Sequence, residues 1–253
     1  MKTVITLATA IAIIYCFAAG LLYVFQRSLL YFPTPELNHP YERLRVESDG
    51  ETIEVIVVNA RKDNALLYFG GNAEAVVANA NEFAANFAER TVYMVNYRGY
   101  GGSSGLPSEE GINRDALRVY DEIRDRHTNI SVAGRSLGSG VATYLAANRA
   151  IERLVLITPY DSILNVARAK FAIFPISVLL KDRYDSLSRA NSIDVPVLVL
   201  AAENDTVIPP RHTRRLAKAF ADRQIELVTI ANAGHNDLSD SKEYLRALTR
   251  FLE

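Results

Sequence analysis

Residues 130–149 constrain the fold of this chain more than any other segment. The small and apolar run Ile130–Ala133 predicts a buried strand, and the alanine-rich segment Leu137–Arg149 predicts a helix. Only Gly134-Arg135-Ser136-Leu137-Gly138 connects the two. On so sharp a turn a serine hydroxyl is exposed above the sheet, and a side chain at either glycine would collide with the neighbouring strand or helix. Ser136 is therefore a candidate nucleophile; the alternative is a structural glycine–serine turn.

A serine hydroxyl is a poor nucleophile unless a base, itself oriented by a carboxylate, removes its proton. The apolar run Val195–Ala201 predicts a strand, and Asp205 lies in the loop that follows it. Glu226–Ile230 predicts the last strand, and His235 comes after it, just before the last helix. Serine, acid and histidine in this chain order are typical of enzymes whose nucleophile lies on a strand-to-helix turn. The predicted catalytic residues are Ser136, Asp205 and His235.

Other acids and histidines leave alternatives to this assignment. Glu203 comes two residues before Asp205, but Asp205 follows its strand by a longer loop. Asp161 could act from the end of the preceding strand, although its surroundings are also typical of a loop or a helix cap. The remaining histidines, none of which follows a sheet strand, are predicted to be solvated: His39, His127 and His212.

Strand-like and helix-like segments alternate along the rest of the chain. Eight short runs predict strands, the first two flanking the turn Ser48-Asp49-Gly50: Leu44–Glu47, Thr52–Val58, Ala65–Phe69, Thr91–Val95, Ile130–Ala133, Leu154–Ile157, Val195–Ala201 and Glu226–Ile230. Five segments predict helices: Ala73–Phe87, Ser108–Arg126, Leu137–Arg149, Arg211–Phe220 and Ser241–Leu252. This alternation predicts an α/β fold whose mostly parallel sheet is covered by helices on both faces.

Acyl transfer through a serine also needs two N–H groups that bind the oxyanion of the tetrahedral intermediate. One is expected from the main chain of Leu137, directly after the nucleophile. The other is expected from the main chain of Asn72, where the paired glycines Gly70 and Gly71 allow close approach of the backbone. Taken alone, this loop fits a generic strand-to-helix turn at least as well.

The N-terminal segment Val4–Phe25 carries no charge. As a helix it would be about 33 Å long, which matches the ~30 Å hydrocarbon core of a bilayer, and we predict an uncleaved single-pass anchor. A cleaved signal peptide is the alternative, with Phe17-Ala18-Ala19-Gly20 as its site; a core helix fits poorly because every face is apolar. Lys2 and the amino terminus, against Arg27 on the other side, favour a domain outside the cytoplasm.

Length and composition suit one domain behind this segment. We predict an anchor over residues 1–27, a proline-containing linker over 28–42 and a catalytic domain over 43–253. The formal net charge of −1 gives no electrostatic reason to expect a nucleic-acid partner. Cys16 is the only cysteine, so the sequence has no disulfide framework, and it shows no metal-ligand spacing. We expect neither a metal nor a cofactor.

Several motifs carry a family resemblance that extends over nearly the whole chain. The segment Asn96–Glu109, NYRGYGGSSGLPSE, resembles the N-Y-R-G-Y-G-x-S-x-G-x-P-S-E stretch of membrane-anchored α/β-hydrolases of the bud-emergence type. That branch includes lysophospholipid hydrolases and protein depalmitoylases. The likeness continues in Gln26–Pro33, the Ser136 turn, Leu180–Ser186, the Asp205 loop and Gly234-His235. It implies an eight-stranded α/β-hydrolase fold and the catalytic roles given above.

One loop departs from this family pattern. The family usually has His-Gly-Asn-Ala-Gly where this chain has Gly70-Gly71-Asn72-Ala73-Glu74. Losing the histidine is expected to loosen the support of the Asn72 N–H group, and Glu74 is expected to add a carboxylate near the mouth of the pocket. The departure bears on substrate preference or, as the alternative, on activity.

Residues 161–191 correspond to the insertion that usually caps the site in this fold. Their apolar stretch around Phe171–Leu180 predicts a helix packed on the sheet, an apolar acyl pocket or a membrane-facing entry to the site. With the anchor, it favours a lipophilic, acylated substrate. We predict a serine hydrolase that cleaves esters or thioesters through an acyl-enzyme. A peptidase of the same fold and a catalytically silent membrane-bound interaction protein remain alternatives.

Overall fold

The computed structural model describes residues 1–253 and contains one eight-stranded sheet. The strands are β1 (Glu42–Ser48), β2 (Glu51–Val58), β3 (Asn64–Phe69), β4 (Arg90–Val95), β5 (Asn129–Arg135), β6 (Leu154–Ile157), β7 (Val197–Ala202) and β8 (Ile225–Ile230). Their order across the sheet is β1-β2-β4-β3-β5-β6-β7-β8. β3 to β8 are mutually parallel, whereas β1 and β2 pair antiparallel. The predicted α/β sheet is confirmed, with all eight strands at the predicted places.

The antiparallel edge begins with a tight hairpin. Asp49 and Gly50 join β1 to β2 with φ angles of 50° and 77°. Two consecutive left-handed residues match the right-handed twist of the flanking strands, and an Asp-Gly pair is favoured at such positions. The turn predicted at Ser48-Asp49-Gly50 therefore closes the hairpin, with Ser48 paired to Glu51.

The parallel strands bring their carboxyl ends to one edge of the sheet. Phe69, the last residue of β3, pairs with Val95 of β4 and Gly134 of β5, and Arg135 of β5 pairs with Ile157 of β6. Strands buried on both faces need apolar residues at successive positions rather than alternation, as β4 and β7 have. Loops that follow neighbouring strands therefore meet at this edge.

Nine α-helices surround or precede the sheet. They are α1 (Lys2–Leu30), α2 (Ala80–Asn86), α3 (Glu109–Ile123), α4 (Leu137–Ala146), α5 (Ile163–Lys170), α6 (Ile176–Leu179), α7 (Ser186–Ala190), α8 (Pro210–Ala217) and α9 (Lys242–Leu252). One apolar layer joins the sheet to α3, α4 and α8 through residues such as Val119, Leu145 and Leu216. A second layer on the other face joins it to α2 and α9 through Phe83 and Leu248.

One predicted helix is shorter than expected. The alanine-rich pattern predicted a helix over Ala73–Phe87, but α2 begins at Ala80 after a short 3-10 turn, Val76–Asn79. Ala73 adopts a left-handed conformation with φ 60°, and the N–H of Gly71 donates to the Glu74 carboxylate. The chain before Val76 is therefore held as a loop, and this loop faces the candidate site.

The first helix, α1, is long and apolar enough to cross a membrane, and none of its residues is buried in the protein. Its second half lies against the insertion between β6 and β7. Tyr15 donates to the carbonyl of Ile173 at 2.8 Å, and Arg27 pairs with Asp182 at 2.9 Å. The helix therefore contacts the rest of the chain along several turns.

The segment after α1 packs on the domain rather than extending away from it. The helix runs to Leu30, three residues into the predicted linker. Tyr31 is buried and its hydroxyl lies 3.0 Å from that of Tyr184, and Pro35 forms a β-bridge with Gly101. The start of the predicted linker is therefore held on the fold by these contacts.

Candidate active site

The turn that carries Ser136 has the strained geometry predicted from its sequence. Ser136 lies between β5 and α4 with φ 48° and ψ −113°, which a non-glycine residue rarely adopts. A Cβ atom on Gly134 would lie 2.2 Å from the carbonyl oxygen of Gly138, and one on Gly138 would lie 2.1 Å from that of Phe69. Both glycines are needed because main chain, which cannot move aside, occupies the space.

Three predicted side chains form one hydrogen-bonded chain at the carboxyl edge of the sheet. The Nε2 atom of His235 lies 2.9 Å from Oγ of Ser136, and its Nδ1 atom lies 2.7 Å from Oδ2 of Asp205. His235 and Asp205 are buried, whereas Ser136 is partly exposed. An acid and a base held in this order can take a proton from the serine hydroxyl and stabilise the resulting imidazolium.

The alternative acids lie elsewhere. Glu203 is exposed and accepts from the main chain of Asn232 rather than from His235. The other oxygen of Asp205, Oδ1, accepts from the N–H groups of Val207 and Ile208 at 2.9 and 2.7 Å. These two hydrogen bonds fix the orientation of the carboxylate, so that its other oxygen, Oδ2, points to the imidazole of His235.

Asp161 belongs to a second, separate pair. It is fully buried at the start of α5 and accepts from the N–H of Ser162 and from Nδ1 of His212, 2.9 Å away. The expectation that His212 is solvated is therefore wrong, because α8 packs its imidazole against the Asp161 carboxylate. His127 is also half-buried, between the hydroxyl of Tyr93 and the carbonyl of Lys62, and burial lowers its pKa.

The two predicted oxyanion donors belong to the residue after the serine and to the neighbouring loop after β3. Leu137 is the first residue of α4, where main-chain N–H groups have no partner within the helix. Asn72 lies in the loop after β3, and its main-chain N–H makes no hydrogen bond within the protein. The loop is close to the nucleophile, since a Cβ atom on Gly71 would lie 3.7 Å from Cβ of Ser136.

The side chain of Asn72 ties this loop to the end of α1. Its Nδ2 atom donates to the carbonyl of Leu30, and its Oδ1 atom accepts from the main chain of Phe32 at 3.0 Å and from the hydroxyl of Tyr100 at 2.8 Å. Burial raises the pKa of Tyr100 to about 12, so the phenol stays protonated as a donor at neutral pH. The candidate oxyanion loop and the N-terminal helix are thus positioned together.

Glu74 supports the loop 70–74, in which the usual family residues are a histidine and a glycine at positions 70 and 74. Its Oε2 atom accepts from the N–H of Gly71 at 2.7 Å and lies 3.4 Å from Nη1 of Arg135. Its Oε1 atom accepts from Tyr68 at 2.7 Å and from Asn79 at 2.8 Å. The expectation of a loosened loop is therefore wrong, whereas the expected carboxylate is present near the site and is held by hydrogen bonds within the loop. The sequence showed the substitution but not its partners.

Two sequence families match the chain in the region of the sheet and the site. A profile described as the alpha/beta hydrolase fold matches residues 64–174, and one described as serine aminopeptidase, S33, matches residues 179–242. With the sheet order and the strained serine turn, these matches define the class. The chain belongs to the α/β-hydrolase superfamily.

Individual relatives place the chain near the bud-emergence type. It is 28% identical over 269 residues to the protein bem46 of Schizosaccharomyces pombe, covering 93% of this chain and 88% of that one. It is 31% identical over 185 residues to the lysophosphatidylserine lipase ABHD12 of Macaca fascicularis, covering 61% and 44%. An uncharacterized protein of Mycobacterium tuberculosis is 36% identical over 168 residues, which span 64% of this chain and 59% of that protein. The resemblance read from the motifs is confirmed.

A solved structure agrees with the fold. An esterase from Pyrococcus furiosus superposes on 88% of this chain and 96% of its own length, with a TM-score of 0.72 at 15% identity. At this sequence identity the likeness concerns the fold alone, and it agrees with the α/β-hydrolase fold described above.

Proposed function

We propose that this chain is a serine hydrolase that cleaves an ester or thioester through a covalent acyl-enzyme. The observation that carries the proposal is the chain of hydrogen bonds from Ser136 through His235 to Asp205 on a strained strand-to-helix turn. Strain at a non-glycine residue persists only where the surrounding structure enforces it, and such strain clusters at functional sites.

The geometry supports a definite sequence of steps. His235 accepts the Ser136 proton as Oγ forms a bond to the substrate carbonyl carbon, and Asp205 holds the imidazolium. The N–H groups of Asn72 and Leu137 bind the oxyanion. His235 then returns the proton to the leaving alcohol or thiol. A water molecule, activated by the same histidine, releases the acid and restores Ser136.

A lipophilic acyl group is the proposed substrate class. One relative is named a lysophosphatidylserine lipase, and the insertion between β6 and β7 exposes apolar side chains such as Phe171, Ile173 and Val178. We also propose that α1 anchors the chain in a membrane. Its surface is apolar and unburied, which is costly in water and favourable in hydrocarbon. The excess of positive charge before the segment favours an extracytoplasmic domain.

The domain division predicted from the sequence is kept as a proposal, with an anchor over residues 1–27, a linker over 28–42 and a catalytic domain over 43–253. The linker in this proposal is a packed connection, since Tyr31 is buried and Phe32 bonds to the candidate oxyanion loop. Removing it is therefore expected to impair the site as well as the anchorage.

A chain-length series of ester and thioester substrates tests the function. Full-length protein in detergent micelles or vesicles is compared with Ser136→Ala, with Ser192→Ala, an exposed serine after α7, as the serine control. We expect turnover that rises with acyl length and that Ser136→Ala abolishes. Undiminished turnover in Ser136→Ala would refute the mechanism, and an optimum at acetyl would refute the lipophilic substrate class.

Peptide hydrolysis is a second candidate, favoured by the match of residues 179–242 to serine aminopeptidases. The same proposed triad can attack an amide carbonyl, with the leaving amine protonated by His235. Aminoacyl amide substrates in the same assay separate the two functions. Faster turnover of the amides than of long-chain esters would favour the peptidase.

A further inference from the structure

A groove lies between the last turns of α1 and the insertion that covers the sheet. Its volume is about 340 Å³, and ten of its twelve lining residues are apolar. α1 contributes one wall and α5 with α6 contributes the other; examples are Leu22, Leu29 and Leu30 on one side and Val166, Phe171 and Leu179 on the other. The volume falls in the range of small-molecule sites in proteins.

The groove offers a ligand almost no free polar groups. Its two polar residues are Gln26 and Lys170. The amide of Gln26 is already used, since Nε2 donates to the carbonyl of Leu179 at 3.0 Å and Oε1 accepts from the N–H of Lys181 at 2.6 Å. Lys170 is exposed. A hydrocarbon chain satisfies such a surface, whereas a peptide would bury main-chain groups without partners.

Contacts along α1 give the spacing, along the helix axis, of the levels at which the insertion touches the proposed anchor. Near one end of the groove, Arg27 pairs with Asp182 and the Lys181 ammonium lies over the ring of Tyr23, 4.3 Å from its centroid. Tyr15, which lies twelve residues before Arg27, donates to the carbonyl of Ile173. At 1.5 Å per residue these two levels are about 18 Å apart, somewhat more than half of a ~30 Å hydrocarbon core.

The segment 171–180, FAIFPISVLL, has the composition needed at that depth. It carries no charge, and Lys170 and Lys181 flank it. Ile173 and Val178 are 75% and 79% exposed. Contact with acyl chains would remove this apolar surface from water, while the long lysine side chains can reach back to the polar interface.

We infer that the groove binds one acyl chain of a bilayer lipid, with residues 171–180 inserted beside α1 in the same leaflet. This inference rests on the proposed function, because it supplies the acyl group of that reaction directly from the membrane. Leu30 lines the groove, and its carbonyl accepts from Nδ2 of Asn72 in the loop opposite Ser136. The groove and the proposed oxyanion loop are thus joined through the last residue of α1, and the inference orients the ester end of a bound chain toward that loop.

Tryptophan fluorescence tests the inference without using turnover. The chain contains no tryptophan, so a single introduced one reports a single place. Four single variants of the full-length chain are compared: Val166→Trp and Phe171→Trp on the groove walls, Val178→Trp on the outer face and Leu227→Trp on the far edge strand. Each is reconstituted in phosphatidylcholine vesicles whose acyl chains carry bromine near the headgroup or near the middle of the chain.

We expect strong quenching of both groove tryptophans and of Val178→Trp by mid-chain bromine, severalfold above that of Leu227→Trp. Quenching of Val178→Trp alone would show that the insertion touches lipid while the groove holds no acyl chain, and would overturn the inference. Quenching of none of the three would overturn it as well. Repeating the measurement with Ser136→Ala keeps it independent of hydrolysis, so a failure here leaves the proposed chemistry untouched.

Discussion

Removing the Glu74 carboxylate should slow the reaction without abolishing the triad. Glu74 does not touch Ser136, His235 or Asp205; it holds the N–H of Gly71 at 2.7 Å, one residue before the proposed oxyanion donor. In Glu74→Ala this N–H and the hydroxyl of Tyr68 lose their acceptor. The loop that carries Asn72 is then free to shift away from the nucleophile.

The magnitude follows from the bonds lost. A buried donor left unsatisfied costs about 1–3 kcal/mol. Complete loss of one oxyanion donor costs about 2.7–4 kcal/mol of transition-state stabilisation. A displaced donor costs less, so we expect a loss of about 1.4–2.8 kcal/mol, which is about 10- to 100-fold in kcat. KM should change little, because the oxyanion forms only in the transition state. Glu74→Gln, which keeps an acceptor oxygen, should recover part of the loss.

Steady-state kinetics with the best ester of the chain-length series measure this effect. Glu82→Ala, an exposed acid on α2, is the matched control and should behave as wild type. Melting temperatures separate misfolding from mispositioning. The reasoning would be refuted by wild-type kcat in folded Glu74→Ala, or by a change confined to KM.

Three further predictions come from other contacts. Asp205→Asn should lower kcat by about 10⁴-fold, because His235 loses the carboxylate that orients it. Glu203→Gln should leave kcat near the wild-type value. Equal losses of kcat in the two variants would contradict the assignment of Asp205. Gly138→Ala places a Cβ atom 2.1 Å from the carbonyl oxygen of Phe69 and should lower the free energy of unfolding by about 3 kcal/mol or more, measured by denaturant unfolding. A variant as stable as wild type would contradict the geometry described for the Ser136 turn. The folded-state pKa of Tyr100, about 12, exceeds the unfolded value near 10, so its contribution to stability is complete below pH 10 and is lost as pH rises toward 12. Tyr100→Phe should make that alkaline decline shallower by up to about 1.4 kcal/mol per pH unit, measured by urea unfolding, and an unchanged slope would contradict it.

The fold was predictable because its signals are local. Buried parallel strands require continuous apolar runs, and such runs appear at the central strands β3 to β7, whereas β1 was located by its alternating pattern and the turn that follows it. The serine turn was predictable for the same reason: Gly134 and Gly138 are required by main chain only a few residues away or on the neighbouring strand. Chain order then narrowed the acid and the histidine to Asp205 and His235, which the structure brings within hydrogen-bonding distance.

The support of the site was not predictable, because it depends on which polar side chains the folded loops bring together. Glu74 looked like a loss of support, and only the three-dimensional arrangement reveals that Tyr68, Gly71 and Asn79 all donate to it. The burial of His212 against Asp161 likewise joins residues 51 positions apart. No periodicity or short motif encodes such contacts, since those of Glu74 depend on how its own loop folds and that of His212 requires two separate segments to meet.

The packing of α1 against the insertion could not be predicted from the sequence for a related reason. A charge-free segment indicates a membrane helix, but it contains no information on what lies beside it. The bonds of Tyr15 to Ile173 and of Gln26 to Leu179 join segments more than 150 residues apart. Because of these hydrogen bonds, the predicted anchor helix α1 also forms one wall of a groove.

Covalent labelling of the nucleophile tests the central claim most directly. The full-length protein is treated with a fluorophosphonate, digested, and the modified peptide is identified by mass spectrometry, with His235→Ala as a variant that keeps the serine but lacks the base. The account predicts one adduct per chain on Ser136, formed rapidly in the wild type and at a greatly reduced rate in His235→Ala. An unlabelled wild-type protein, an adduct on another serine, or equal labelling rates in the two proteins would contradict it.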